Sequence, residues 1–274
     1  MTSFTVSRLE EGWTLLDFLE QRLKLSRRQT KALIDTRNVW VNRKRVWIAN
    51  HRLRAGDQVS PQIQTTSTTT NIKIRILNED AHFLFVDKPA GILSSGIGSV
   101  EELLRKQLNL PDLHVVHRLD RDTSGCLMVA RTVADFDAAV LQFKARRIKK
   151  IYNAIVHGRV ELRTSTINTE LEGKRAVTHI RVLKTRAEAS FLQIRIETGR
   201  THQIRLHLSS IRHPVLGDSQ YGPKRITDQR IRDIPRQMLH STEIEMRNPF
   251  GAGNLRAHSP LPADFRKVLR AFAL

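Results

Sequence analysis

Ten polar-rich residues, His117-Arg118-Leu119-Asp120-Arg121-Asp122-Thr123-Ser124-Gly125-Cys126, sit between two short apolar runs, and the chain's fold has to accommodate them. Leu113-His114-Val115-Val116 on one side and Leu127-Met128-Val129-Ala130 on the other read as strands, so the decapeptide is expected to be a loop on a rigid sheet. Thr123-Ser124-Gly125 supplies turn chemistry, with Gly125 free to take a positive φ. Two readings of Asp120 and Asp122 stand side by side. Either they pair with Arg118 and Arg121 in a solvated network, or they carry chemistry.

Charge narrows the partner. Lys plus Arg number 46 against 27 Asp plus Glu, a formal net charge of +19 with a sequence pI near 11.0. Such a field attracts polyanions, and nucleic acid is favoured because no apolar run approaches the roughly 20 residues that span a bilayer. The first eleven residues, Met1 to Glu11, lack the apolar core of a secretory signal and contain acids that a transit peptide avoids, which points to the cytoplasm. Cys126 is alone, so neither an internal disulfide nor a multi-cysteine metal site is expected. At 274 residues the chain has room for about two domains.

Trp13, Trp40 and Trp47 all fall in the first fifty residues, a shift in composition that marks a small separate domain over residues 1–64. Residues 14–20 have helical apolar spacing and Ser26 caps a second helix through Leu33-Ile34. Val39-Trp40-Val41 and Val46-Trp47-Ile48 read as a strand pair, and Ala55-Gly56-Asp57 as a turn. This pattern resembles an S4 RNA-binding domain, although Asn38 and Arg43 stand where that family usually has glycine. Residues 1–64 hold 12 Lys plus Arg and 6 Asp plus Glu, and Arg27, Arg28 and Lys31 are expected to face RNA phosphates. The tryptophans are expected in the core of so small a unit. Residues 65–71, Thr-Thr-Ser-Thr-Thr-Thr-Asn, read as a linker and 72–274 as a second domain.

In that second domain Ile72, Ile74 and Ile76 alternate along a strand, and Phe83-Leu84-Phe85-Val86 forms a more buried one before Asp87-Lys88-Pro89-Ala90-Gly91. Thr132 is expected to cap a helix with Phe136, Val140 and Phe143 on one stripe. At its end stand Lys144, Arg146, Arg147, Lys149 and Lys150, more cations than a helix dipole requires, of which Arg146, Arg147, Lys149 and Lys150 are assigned to RNA backbone. Ile151-Tyr152-Asn153-Ala154-Ile155-Val156 alternates as a strand with Tyr152, Ala154 and Val156 on one face. Thr198-Gly199-Arg200-Thr201-His202-Gln203-Ile204-Arg205 leads into a helix capped by Thr201, with His202 and Arg205 on a shared face. A metal site from His202 and His207 is disfavoured by their spacing. Lys224, Arg225, Arg230, Arg232 and Arg236 form a basic segment, expected to be a loop that orders on RNA.

His-Arg-Leu-Asp followed by Thr-Ser-Gly resembles the signature of the RluA family of RNA pseudouridine synthases, and the resemblance runs on. It takes in Asp-Lys-Pro-x-Gly at 87–91, Lys-x-Tyr-x-Ala-x-Val-x-Gly with its Tyr at 152, and Thr-Gly-Arg-Thr-His-Gln-Ile-Arg at 198–205. His213 to Asp218, Tyr221-Gly222, Leu239-His240 and residues 261–265 carry it almost to the C-terminus. It implies an α+β fold, a small S4-like domain linked to a mixed, mainly antiparallel sheet with flanking helices. It also implies Asp120 as a nucleophile toward the sugar or the pyrimidine ring, paired with Arg205, and Tyr152 stacked on uracil. A nearby Arg205 is then expected to lower the pKa of Asp120 against the effect of desolvation. Arg121, Thr123, Arg200, His202 and Gln203 are expected to surround the flipped nucleotide, and His117 and Arg118 either to hold it or to fill the space it leaves.

The implied reaction is the isomerisation of uridine to pseudouridine in structured RNA, without cofactor; no metal is expected, and a monomer is expected because nothing in the sequence marks an oligomer seam. Ribosomal RNA is favoured by the S4-like domain and transfer RNA is the alternative target. Two other readings compete: a non-catalytic RNA-binding or chaperone protein, and a metal-dependent nuclease using Asp120, Asp122 and a histidine.

Overall fold

The computed structural model describes residues 3–35, 39–42, 44–61 and 72–274, and the chain divides into two compact units, Met1–Ile72 and Lys73–Leu274. Asn38, Arg43, the side chain of Arg28 and the linker at 65–71 lie outside the described residues.

The first unit sets two helices, α1 (Leu15–Leu23) and α2 (Arg27–Asp35), beside a small sheet. Its strands are β1 (Phe4–Thr5), β2 (Val39–Val41), β3 (Lys44–Arg45) and β4 (Gln58–Pro61), in the order β1-β4-β2-β3. Thr14 caps α1 by accepting from the Asp17 N–H. The apolar spacing of α1 then drives Leu15, Leu16, Phe18 and Leu19 into a core with Val6, Ile34, Val39, Val41, Leu53 and Val59. Trp13 packs on that core as expected. Trp47 does not: it is 49% exposed.

The second unit is built on a mixed sheet of ten strands. In chain order its elements are β5 (Arg75–Glu79), β6 (Phe83–Lys88), α3 (Val100–Leu108), β7 (His114–Val115), β8 (Ser124–Ala130), α4 (Val133–Lys144), β9 (Ile148–His157), β10 (Thr164–Ile167), β11 (Thr178–Thr185) and β12 (Ala189–Ile196). They continue with α5 (Gln203–Ser210), α6 (Gln229–Arg232), β13 (Leu239–Arg247), β14 (Asn254–His258) and α7 (Ala263–Ala271). Strand order is β10-β11-β12-β9-β13-β8-β6-β5, with β14 on β13 and β7 on β8. All pairs are antiparallel except β8 with β13. The molecule is α+β: a small unit of two helices beside a four-stranded sheet, and a second unit with a mainly antiparallel sheet and flanking helices.

Both faces of the central sheet are covered, which is why β8 reads as an unbroken apolar run: all seven of its residues are buried. One core lies between the sheet and α3, α5 and α7; another holds Phe83, Phe85, Met128 and Ile148 with Phe136 of α4 against it. Thr132 caps α4 in a reciprocal box with Asp135.

Four local expectations differ. The first strand starts at Arg75 and leaves Ile72 40% exposed, so the alternation of isoleucines overstates its length. Thr123-Ser124-Gly125 is not a free turn, because β8 already begins at Ser124. Gly125 does take φ +110°, but the cause is packing: a Cβ there would lie 2.1 Å from the Ser241 carbonyl oxygen at the parallel β8–β13 junction. Helix α5 begins at Gln203, and the residue before it is His202 at φ 53° with no side-chain cap, so Thr201 is not the cap. Finally, the basic segment contains α6 and much internal pairing: Arg230 binds Asp228, and Arg236, 8% exposed, forks onto Asp264 at 2.6 and 3.1 Å.

Candidate active site

The decapeptide runs from β7 into β8 and is held on several sides. Lys88, fully buried at the end of β6, donates to the carbonyls of Pro89, Arg121 and Thr123, each at 2.9 Å. Burial pulls this amine down to about 7. Arg236 donates to the Asp122 carbonyl at 3.0 Å, and Gln237 Nε2 to Thr123 Oγ1 at 2.7 Å. Ser94 Oγ accepts from the Leu119 N–H and donates to the Leu119 carbonyl, both at 3.0 Å. Arg121 reaches back to the Gly91 carbonyl at 3.0 Å, so its guanidinium braces the loop rather than lining a pocket. With its neighbours fixed at 119, 121, 122 and 123, Asp120 is held in place to face the cavity.

Asp120 points into a cavity of about 590 Å³, which has the size of a small-ligand site. Its Oδ2 accepts from Arg205 Nη1 at 3.1 Å, and its Oδ1 lies 3.8 Å from His202 Nε2. Arg205, on α5 and 6% exposed, is itself fixed by Asp218: Nε to Oδ2 at 2.6 Å and Nη2 to Oδ1 at 2.9 Å. Burial opposes both charges of this pair. The mutual hydrogen bonds, with the Gln220 and Tyr221 N–H groups donating to Asp218, outweigh it, lowering the Asp218 carboxyl and raising the guanidinium. Tyr221 completes the bracket, with its ring 4.9 Å from the Arg205 guanidinium and its hydroxyl 2.9 Å from His202 Nδ1. Desolvation lowers His202, so its imidazole is neutral at physiological pH.

Tyr152 forms the floor. It lies on β9, is 5% exposed, and burial raises its phenol well above the ordinary range, so it is a phenol and not a phenolate. His117 also lines the pocket. Its Nε2 accepts the Met128 N–H at 3.1 Å, and burial pulls it down to about 3, which keeps it neutral. Arg118, Lys144, Arg146, Lys150, Arg200 and Arg205 supply positive charge to the walls, against Asp120 and Glu197.

Of the residues singled out in the sequence, the pocket brings together Asp120, Tyr152, Arg205, His117, Arg118, Thr123, Arg200, His202, Gln203, Arg146 and Lys150. Two of these have their polar groups engaged internally. Gln203 bonds Thr198, Arg200, Val177 and Thr178, and Thr123 accepts from Gln237. Others stand elsewhere. Lys149 is on the opposite face of β9 beside Glu243 and Glu245, and Arg147 is exposed. Arg27 is bound to Asp17 and Glu20, and Lys31 to Asp35. Asp122 is exposed and does not line the pocket. Among the described residues no three His, Cys, Asp or Glu side chains are grouped to hold a metal ion, and no helix is long and apolar enough to cross a membrane. Sequence reading missed Asp218, Tyr221 and the bracing roles of Lys88, Ser94, Arg236 and Gln237. Their only signals were the Gly217-Asp218 and Tyr221-Gly222 dipeptides and an unexplained lysine at a strand end.

A carboxylate held by a buried arginine, in a cationic cavity beside a buried tyrosine, has the makings of an enzyme site for an anionic ligand. The comparisons make this specific. Residues 82–210 match the family described as RNA pseudouridylate synthase, and residues 14–59 match the S4 domain. The chain is 36% identical over 256 residues to the ribosomal large subunit pseudouridine synthase D of Xanthomonas campestris, covering 80% of this chain and 76% of that one. It is 30% identical over 296 residues to the uncharacterised RNA pseudouridine synthase YhcT of Bacillus subtilis, over 97% and 96% of the two chains. Among solved structures, human RNA pseudouridylate synthase domain containing 4 shares the fold, with a TM-score of 0.63 at 22% identity over 73% of this chain and 93% of that one. Human RNA pseudouridylate synthase domain containing 1 superposes with a TM-score of 0.58 at 25% identity, over 73% and 95%. The chain belongs to the RluA-type RNA pseudouridine synthases that carry an N-terminal S4 domain.

Proposed function

We propose that this enzyme isomerises uridine to pseudouridine in ribosomal RNA, with Asp120 as the nucleophile on a base flipped into the pocket. The observation that carries the reading is the Asp120–Arg205–Asp218 arrangement, a carboxylate aimed into a nucleotide-sized cavity by a guanidinium that is itself locked. Ribosomal RNA is favoured because relatives such as those of Xanthomonas campestris and Vibrio cholerae are named ribosomal large subunit synthases.

The reaction breaks the N1–C1′ bond, turns the uracil, and joins C5 to C1′; the C5 proton leaves to solvent and N1 ends protonated. No outside reagent is consumed, so the protein's task is covalent assistance and positioning. Asp120 supplies the nucleophile. Arg205 keeps that carboxylate aimed through its Nη1 hydrogen bond while substrate excludes water. Tyr152, a phenol buried on β9, supplies a face for the uracil to stack on, a contact that offsets part of the few kcal/mol spent in flipping the base. The cationic rim, including Arg118 and Arg200, holds the RNA backbone nearby.

The test is tritium release from C5 of labelled uridine in unmodified ribosomal RNA, with chelator present, comparing wild type with Asp120→Asn. Release by wild type alone is expected. Activity that survives in Asp120→Asn removes the nucleophile, and activity abolished by chelator points to a metal-dependent reaction instead.

A further inference from the structure

Lys150 is the one strongly buried cation in the pocket wall that the scheme above leaves without a task. It lies on β9 two residues before Tyr152, so the two side chains share a face of the strand and stand roughly 6.5 Å apart along it. Its neighbour Lys149 takes the other face and finds Glu243 and Glu245 there. Lys150 finds no such partner. It is 8% exposed and lines the cavity, and its amine makes no hydrogen bond to any described residue; the amine rests 5.5 Å from the Phe143 ring centroid and against Gly199. The two carboxylates of the cavity are otherwise engaged, Asp120 with Arg205 and Glu197 with His179. Burial pulls the amine down to about 8, and no carboxylate offsets it.

An unpaired cation inside a protein is costly, and a fold that needed only volume at this position is served better by methionine or leucine. The amine opens onto the cavity that receives the nucleotide, and the only formal charge a uridine nucleotide brings is its phosphate. We propose that Lys150 is a phosphate-binding residue inside the active site, which takes the backbone phosphate of the target nucleotide while its uracil lies on Tyr152. The assignment rests on the isomerase reading and gives it an internal anchor: the base is seated by Tyr152 and the sugar is presented to Asp120 by a charge held at a set distance along one strand. Arg146, at the same wall, adds to the positive field but is solvent-exposed, so it contributes less per contact.

The experiment compares wild type, Lys150→Met and Lys150→Arg in tritium release from unmodified large-subunit ribosomal RNA at several salt concentrations, alongside thermal melts. Lys150→Met is expected to melt at or above the wild-type temperature, because a desolvated charge has been removed. It is also expected to lose at least tenfold in kcat/KM, mostly through KM, and to flatten the dependence of log(kcat/KM) on log[salt] by about 0.7, the increment of one phosphate contact on a single strand. Lys150→Arg is expected to restore most of the loss. A lower melting temperature with a fall in kcat alone marks a structural lysine, and an unchanged salt slope marks contact with a neutral group such as a uracil carbonyl; either overturns the proposal. Wild type that releases no tritium brings down only the isomerase reading. The anion site is then decided by titrating the Lys150 amine in lysine-labelled full-length protein by NMR. Uridine 5′-monophosphate is expected to raise its midpoint and uridine to leave it in place, while equal behaviour of the two overturns the site.

Discussion

Asp218 holds Arg205 by two of its nitrogens, Nε at 2.6 Å and Nη2 at 2.9 Å, and leaves Nη1 for Asp120 at 3.1 Å. The guanidinium therefore has one orientation, and the direction in which it presents its last N–H is set by a carboxylate that never meets substrate. Asp218→Asn keeps the shape but removes the charge and one acceptor. Breaking one partner of a buried pair costs about 3–5 kcal/mol. We expect a clearly lower melting temperature and, in the folded fraction, a kcat for tritium release down by on the order of 10²-fold, as misplacement of a reacting group by about 1 Å produces. A variant within threefold of wild-type kcat shows that Arg205 aims itself without Asp218.

Gly125→Ala tests whether the nucleophile's loop depends on the sheet junction below it. A methyl group there collides with the Ser241 carbonyl at 2.1 Å while φ stays at +110°. The strands must separate or the loop must shift, and either costs about 3 kcal/mol or more from overpacking and backbone strain together. Denaturant unfolding should show that loss as a lower midpoint. A midpoint equal to wild type means that β8 and β13 part easily, and the glycine is then there for another reason.

How much of this was legible beforehand depends on range. The strands on either side of the decapeptide and the Thr132 cap follow from local apolar patterning and capping chemistry, because those signals are written within a few residues. The pairing of Asp120 with Arg205, 85 positions apart, came only from the family resemblance. Nothing in local sequence reports which carboxylate a buried arginine will meet, so Asp218, although inside the His213-to-Asp218 match, was given no role. The basic run at 144–150 looked uniform but is not: α4 ends at Lys144, β9 starts at Ile148, and the two-residue period of the strand sends Lys149 outward and Lys150 inward. That division was readable from Tyr152 had the strand been extended backwards. In the S4 domain, Arg27 and Lys31 were assigned to RNA from the basic run beside the S4 pattern, and each also has an acid at hand, since exposed arginines and lysines pair with whatever neighbour the helices provide.

Lys88 is expected to matter through the backbone it holds. Its three N–H groups meet three carbonyls, two of them, on Arg121 and Thr123, in the decapeptide that carries Asp120. Lys88→Met leaves those carbonyls buried without donors, at about 1–3 kcal/mol each where no water replaces the amine. Both stability and kcat should fall, with RNA affinity changed less than threefold, since the amine faces no ligand. Filter binding beside tritium release separates the two effects. Loss of RNA affinity equal to the loss of kcat places Lys88 in the RNA interface instead.

The pH dependence of turnover should carry the mark of the buried amine on β9. Lys150 is charged below about 8 and neutral above it, because burial disfavours the ammonium. A residue that binds phosphate as a cation therefore loses its grip as pH rises through that value, and kcat/KM, which reports the free enzyme, should fall on the alkaline side near pH 8. Other groups at the same wall do not imitate this. His117 is already neutral, with its midpoint pulled to about 3, and the other cations beside it at this wall include the guanidinium groups of Arg146 and Arg200. Tyr152 titrates well above its ordinary range, and Glu197, held low first by its hydrogen bond with His179, is ionised well before neutrality. Lys150→Arg carries a charge that does not titrate, so its profile should stay level where the wild type declines. An alkaline fall of equal size in Lys150→Arg assigns the titration to another group in the pocket and separates it from the strand-borne amine.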